Sequence, residues 1–174
     1  MATTTGRGTR QRRVGPALPR IGTPRNRRRP TYGPEAVEVA KRLGLTLMPW
    51  QVHAFDVALE YDRKTGDLVY DEVILTVPRQ AGKSTLLLVL LVWRMTYAAR
   101  RWGRQNATYL AQKGVAARKK LEREFALRLR MARRSFKEIT NPKARPTRPT
   151  EWKLSMNNGS EHILFGTMSF LQIE

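Results

Sequence analysis

A chain of 174 residues without cysteine can hold neither a disulfide framework nor a thiolate metal site. Its 33 Lys and Arg against 14 Asp and Glu give a formal charge of +19, which favours a polyanionic partner, nucleic acid ahead of an anionic membrane. No apolar run reaches the length of a membrane span and the N-terminus lacks the apolar core of a secretion signal, so an intracellular protein is predicted.

The first part of the chain, residues 1–31, is rich in Arg and Pro. Residues 1–30 contain nine Arg, four Pro, no acidic residue and few large apolar side chains. Such a segment cannot bury enough surface to offset the entropy of ordering, and we predict a disordered basic tail. Arg27, Arg28 and Arg29 could bind the phosphates of DNA or RNA. A solubilising leader without a dedicated partner is an equally good interpretation.

Two short helices are predicted after the tail. Pro34 suits the first position of a helix that ends near Gly44, and Pro49 suits the start of a second helix whose apolar face extends to Tyr61. Gln51 falls in the first turn of the second helix. Its amide could bind an adenine edge with one donor and one acceptor, or it could be an exposed glutamine without a ligand.

Residues 69–77 form the most strand-like stretch, because β-branched and aromatic side chains are concentrated there. Residues 86–95 are almost wholly apolar and predict a helix. The tight loop between them carries Gly-Lys-Ser, so its backbone N–H groups and the helix dipole would favour a phosphate.

Each residue of this Gly-Lys-Ser sequence has a chemical use at such a site. Gly82 would let the backbone approach a phosphate, Lys83 would reach the β- and γ-phosphates, and Ser84 would supply a hydroxyl to Mg²⁺. The common phosphate-binding loop has a first glycine where this chain has Val77. A surface turn that caps a buried helix is therefore the alternative interpretation.

The remaining elements extend the prediction to an α/β fold. A strand at residues 107–111 completes a strand, helix and strand in sequence, which predicts a right-handed parallel crossover. A basic amphipathic helix is predicted at residues 115–134. Strands at residues 151–156 and 161–166 flank Asn-Gly at residues 158–159, which predicts a C-terminal β-hairpin.

Two of these segments carry a family resemblance. Residues 78–84, Pro-Arg-Gln-Ala-Gly-Lys-Ser, resemble the nucleotide-binding loop in the ATPase motor of the large terminase subunit of tailed bacteriophages. Residues 47–51, Leu-Met-Pro-Trp-Gln, resemble the adenine-recognition segment of the same family. The resemblance covers about residues 43 to 166, roughly the first half of such a motor domain.

The resemblance implies an incomplete P-loop NTPase domain over residues 32–174, with a mainly parallel sheet flanked by helices. It implies that ATP and Mg²⁺ bind, that Lys83 and Arg79 are the catalytic residues, and that Ser84 is the Mg²⁺ ligand. The implied nucleotide-binding residues are Gln51, Pro78, Arg79, Gln80, Ala81, Gly82, Lys83, Ser84 and Thr85.

The acidic residues needed for turnover are missing from this sequence. Downstream of Lys83 there is no Asp, and none of the six Glu ends a long apolar strand, where P-loop ATPases place the acidic residue that holds Mg²⁺. The clustered carboxylates of a two-metal terminase nuclease are also missing. We therefore expect nucleotide binding without full ATP hydrolysis or DNA cleavage.

The implied partners follow from DNA packaging. They are double-stranded DNA, the small terminase subunit, the capsid portal and further copies of the chain, in the host cytoplasm and without a membrane. A non-enzymatic basic nucleic-acid-binding protein is the main alternative. A fragment of another P-loop ATPase or helicase is a further one, although it would not account for the Met-Pro-Trp-Gln segment.

Overall fold

The computed structural model describes residues 19, 21–110, 120–132 and 136, together with the backbone of residues 144–148, 151–155 and 161–165. Its elements in chain order are α1 (Gly33–Arg42), α2 (Pro49–Ala58), α3 (Lys83–Trp93), a π-helical turn (Arg94–Ala98), α4 (Ala99–Trp102), β1 (Asn106–Leu110), a second π-helical turn (Lys120–Ala126), α5 (Leu127–Met131), β2 (Ala144–Arg148), β3 (Glu151–Ser155) and β4 (Glu161–Phe165).

The first helix begins and ends where the sequence predicts, and the second begins where predicted but ends at Ala58, before Tyr61. Pro34 lies in the first turn of α1, and Gly44 follows its end with a φ of 69°, a left-handed conformation that glycine adopts without steric cost. Met48 is extended and precedes Pro49 at the first position of α2. Local sequence chemistry therefore determines these boundaries.

The core lies between the helices. The buried face of α1 includes Ala36, Val39 and Ala40, at the spacing of one helix face, and it packs against α3. Trp93 of α3 is fully buried, and its indole N–H donates to Glu35 Oε2 at 2.9 Å. Arg101 forms an ion pair with the same carboxylate at 2.7 Å, and this hydrogen bond raises the pKa of Arg101.

The strands form a four-stranded sheet in the order β1-β4-β3-β2. β1 pairs with β4 in parallel, whereas the β4–β3 and β3–β2 pairs are antiparallel. The β3–β4 pair has the antiparallel arrangement expected for the C-terminal hairpin. The turn predicted at residues 158–159 and the first part of the helix predicted at residues 115–134 lie outside the described residues.

The predicted fold class, a P-loop NTPase domain with a mainly parallel sheet, is wrong. More of the described residues lie in helices than in strands, only one of the three strand pairs is parallel, and residues 69–77 form no strand in this part of the chain. Val73 and Ile74 are 56% and 83% exposed. The predicted crossover is not formed either, because β1 takes β4 from the C-terminal end of the chain as its parallel partner.

The predicted folded domain begins at residue 32, but the structure shows ordered contacts before that residue. Arg25 and Asn26 both bind the buried carboxylate of Glu60. Residues 1–18 and 20 of the predicted tail lie outside the described residues. Among the helices that the structure does describe, none has the length and apolar character needed to cross a bilayer.

Candidate phosphate-binding loop before helix α3

The loop of residues 78–82 is shaped by two left-handed residues. Gly82 has φ 89° and ψ 19° and directly precedes α3, and Gln80 has φ 61°. For a residue with a side chain this conformation costs roughly 1–2 kcal/mol, so Gln80 is a strained position. Ala81 N–H lies 3.4 Å from the carbonyl oxygen of Pro78 across the turn. Strain of this kind is typical of segments whose shape serves a site.

The first turn of α3 has N–H groups available for an anion. The N–H groups of Thr85 and Leu86 donate to the carbonyl of Gly82 at 3.1 and 3.2 Å. Those of Gly82 and Lys83 donate to no protein acceptor within the described part of the chain. The N-terminal end of the helix dipole adds a partial positive charge here. The loop therefore presents two open donors and a favourable field to an oxyanion.

Lys83 folds back across this loop. Its Nζ donates to the carbonyl oxygen of Val77 at 3.2 Å, and the hydrogen bond is exposed to solvent. An exposed hydrogen bond of this kind contributes only about 0.5–1.5 kcal/mol, so exchanging it for a phosphate oxygen costs little. The ammonium group therefore lies at the loop and is free to turn toward an anion there.

Gln51 is brought to the loop from α2, 31 positions earlier in the chain. Its Oε1 accepts the N–H of Met48 at 2.7 Å, which is half of a capping box, and its Nε2 donates to the carbonyl of Gly82 at 2.9 Å. The residue is 1% exposed, so the alternative interpretation of Gln51 as an exposed glutamine is wrong. Gln51 therefore uses one acceptor and one donor of its amide to link the start of α2 to the loop.

The remaining predicted residues surround the same loop. Pro78, Arg79 and Gln80 are exposed on its outer side, and Ala81 is half-buried. Ser84 and Thr85 are half-buried in the first turn of α3. The structure thus brings Gln51 and residues 78–85 into one region.

The described residues contain no group of three or more His, Cys, Asp or Glu that could hold a metal ion. The Ser84 hydroxyl would supply only one oxygen to a metal ion. Mg²⁺ bound to a nucleotide takes most of its ligands from phosphates and water. The residues at the loop therefore fit a phosphate group, and they fit Mg²⁺ only when a nucleotide carries it.

The contact between Gln51 and Gly82 was not foreseen in the sequence. The three-residue spacing from Met48 to Gln51 does predict the capping bond at the start of α2. No local pattern predicts the second bond, because its partner is 31 residues away. The pairing of α1 with both α2 and α3 places these two residues side by side.

Comparisons of this chain with protein-family models, with curated proteins and with solved structures found no match.

Proposed function

We propose that the loop before α3 binds the phosphates of ATP, and that the chain is the ATP-binding portion of a phage DNA-packaging terminase large subunit in the host cytoplasm. The terminase part of this proposal rests on residues 47–51 and 78–84, which carry the family resemblance. The phosphate-binding part rests on local geometry. It does not need the parallel sheet, because anion binding at a helix N-terminus depends on the loop and the first helical turn.

The observation that carries the proposal is the pair of open N–H groups of Gly82 and Lys83 beside the Lys83 ammonium. Two backbone donors, a helix dipole and one cation converge on a single loop. Each interaction with a phosphate oxygen would be charge-assisted and therefore stronger than a neutral hydrogen bond. An exposed turn that merely capped a helix would not need the strained left-handed Gln80.

The residues of the loop take different roles in this proposal. Lys83 turns from Val77 to the phosphates, and the exposed Arg79 adds a second cation at the outer side of the loop. Gln51 acts as a positioning residue that fixes the carbonyl of Gly82. Mg²⁺, carried by the nucleotide and bound by Ser84, would neutralise phosphate charge. Downstream of Lys83 the sequence lacks the acidic residue that would hold Mg²⁺ and orient water, so the proposal stops at binding.

A basic nucleic-acid-binding protein remains the second candidate, because the formal charge is +19. It differs from the first candidate in one measurable respect. A chain that binds polyanions through overall charge would hold ATP weakly, and the loss of any exposed cation would have the same small effect.

A titration with a fluorescent ATP analogue and Mg²⁺ separates the candidates. Lys83→Ala is expected to weaken binding roughly ten- to a hundredfold, because a charge-assisted bond to phosphate is worth about 1.5–3 kcal/mol. The matched control is Lys64→Ala, which removes the same charge from an exposed turn and is expected to leave the Kd within about twofold. Equal effects of the two variants would contradict nucleotide binding at the loop.

A further inference from the structure

The segment of residues 25–29, here called the arginine turn, has a fixed backbone. Arg29 N–H donates to the carbonyl of Asn26 at 3.0 Å and closes a turn over residues 26–29. Asn26 Oδ1 accepts the N–H of Arg28 at 3.1 Å, the side-chain bond that favours Asn at the start of turns. Two local bonds therefore hold the central residues of the turn in one conformation.

A buried carboxylate ties this turn to the helical core. Glu60 is fully buried, and its Oε1 accepts from Arg25 at 2.8 Å and from the backbone N–H of Asn26 at 2.7 Å. Arg29 approaches its Oε2 at 3.6 Å, and the Tyr70 hydroxyl lies 3.5 Å from the same oxygen. A buried carboxylate without its cations would be strongly unfavourable. The ion pairs of Arg25 and Arg29 with Glu60 therefore stabilise the fold.

Arg27 and Arg28 at the centre of the arginine turn are in the opposite situation. Both are exposed, and within the described residues neither side chain forms an ion pair or hydrogen bond. Two arginines that are adjacent in sequence thus lie on a hydrogen-bonded turn with their side chains exposed to solvent. Exposed cations repel each other only weakly in water, so both side chains are available to an anionic partner.

We propose that the arginine turn is a contact site for the phosphate backbone of double-stranded DNA, in which Arg27 and Arg28 bind phosphates and Glu60 anchors the turn through Arg25 and Arg29. Guanidinium groups match phosphate geometry with two parallel donors, and a DNA duplex offers closely spaced phosphates. The choice of DNA as partner rests on the proposed DNA-packaging function, but the test is separate from that of ATP binding because Lys83 and its loop take no part in it.

DNA suits this site better than an anionic membrane does. Membrane-surface segments need a broad apolar face to insert between the headgroups. Among the described residues that precede α1, Ile21 is the one large exposed apolar residue, at 94%. One such side chain does not make an apolar face.

The test compares two double variants of the full chain with equal charge loss. Arg27→Ala with Arg28→Ala removes the two guanidinium groups proposed to bind phosphate. Arg63→Ala with Lys64→Ala removes two exposed cations from the turn that starts at Asp62. Binding to a short labelled duplex is measured by fluorescence anisotropy over a salt series, and equal thermal melting of the variants shows that both remain folded.

The expected result is a change in the salt dependence of only one variant. Removal of both guanidinium groups should reduce the slope of log K against log salt by about 1.8, or about 0.9 for each phosphate that is no longer neutralised, whereas the control pair should change it by less than about 0.5. Equal changes in both variants would overturn the proposal. Weaker binding to phosphatidylserine vesicles with unchanged binding to the duplex would also overturn it and identify a membrane contact.

Discussion

The two apolar segments that flank the Gly82 loop lie in opposite environments. Behind the loop, Leu88, Val89 and Trp93 of α3 are at most 3% exposed. Ahead of it, Val73, Ile74 and Leu75 are exposed, although their side chains are just as apolar.

The two segments differ in how the N–H and C=O groups of their backbones find hydrogen-bond partners. A helix pairs its N–H and C=O groups internally, so α3 needs only side-chain neighbours, which α1 supplies. A strand needs a second chain segment at its edge, and in the described part of the chain residues 73–75 have none. Apolar composition alone therefore does not determine which segment is buried.

The largest expected difference is between the same Leu→Ala substitution in α3 and in residues 73–75. Leu88→Ala should lower the free energy of unfolding by about 2–5 kcal/mol, because it opens a cavity in the core, whereas Leu75→Ala should change it by less than about 0.5 kcal/mol. Urea unfolding followed by tryptophan fluorescence measures both. Similar losses for the two variants would place residues 73–75 in a buried strand and contradict the fold described above.

A smaller effect is expected at the junction between the two segments. Gly82→Ala should lower the free energy of unfolding by more than the roughly 1–2 kcal/mol of a left-handed residue with a side chain, because the new Cβ would lie 2.8 Å from Gln51 Nε2. Gly44→Ala is the matched control, since Gly44 is also left-handed but has nothing within 4 Å of the added Cβ. Equal losses in urea unfolding would show that Gln51 does not brace the loop.

The sequence predicted the elements whose signals are local. Pro34, Gly44 and Pro49 mark the ends of α1 and the start of α2 because proline and glycine restrict or permit particular backbone angles. The Gly82 loop at the start of α3 was predicted from Gly-Lys-Ser ahead of an apolar helix. These positions depend on the residue itself and on its immediate neighbours.

Features that depend on distant partners were not predicted. Residues 69–77 carry every strand signal, but a strand forms only when another segment pairs with it. The buried Glu60 was missed because its partners Arg25 and Arg29 lie 35 and 31 positions earlier, in a segment that composition assigns to a disordered tail. One signal was present: a chain with so few acidic residues leaves each of them many possible cationic partners.

Amide hydrogen exchange with and without ATP and Mg²⁺ tests the central claim most directly, because it reports on the backbone N–H groups proposed to bind phosphate. The account predicts slower exchange in residues 80–86 and unchanged exchange in the arginine turn. Unchanged exchange in residues 80–86, or protection of the arginine turn in its place, would contradict nucleotide binding at the loop and leave a basic polyanion-binding protein.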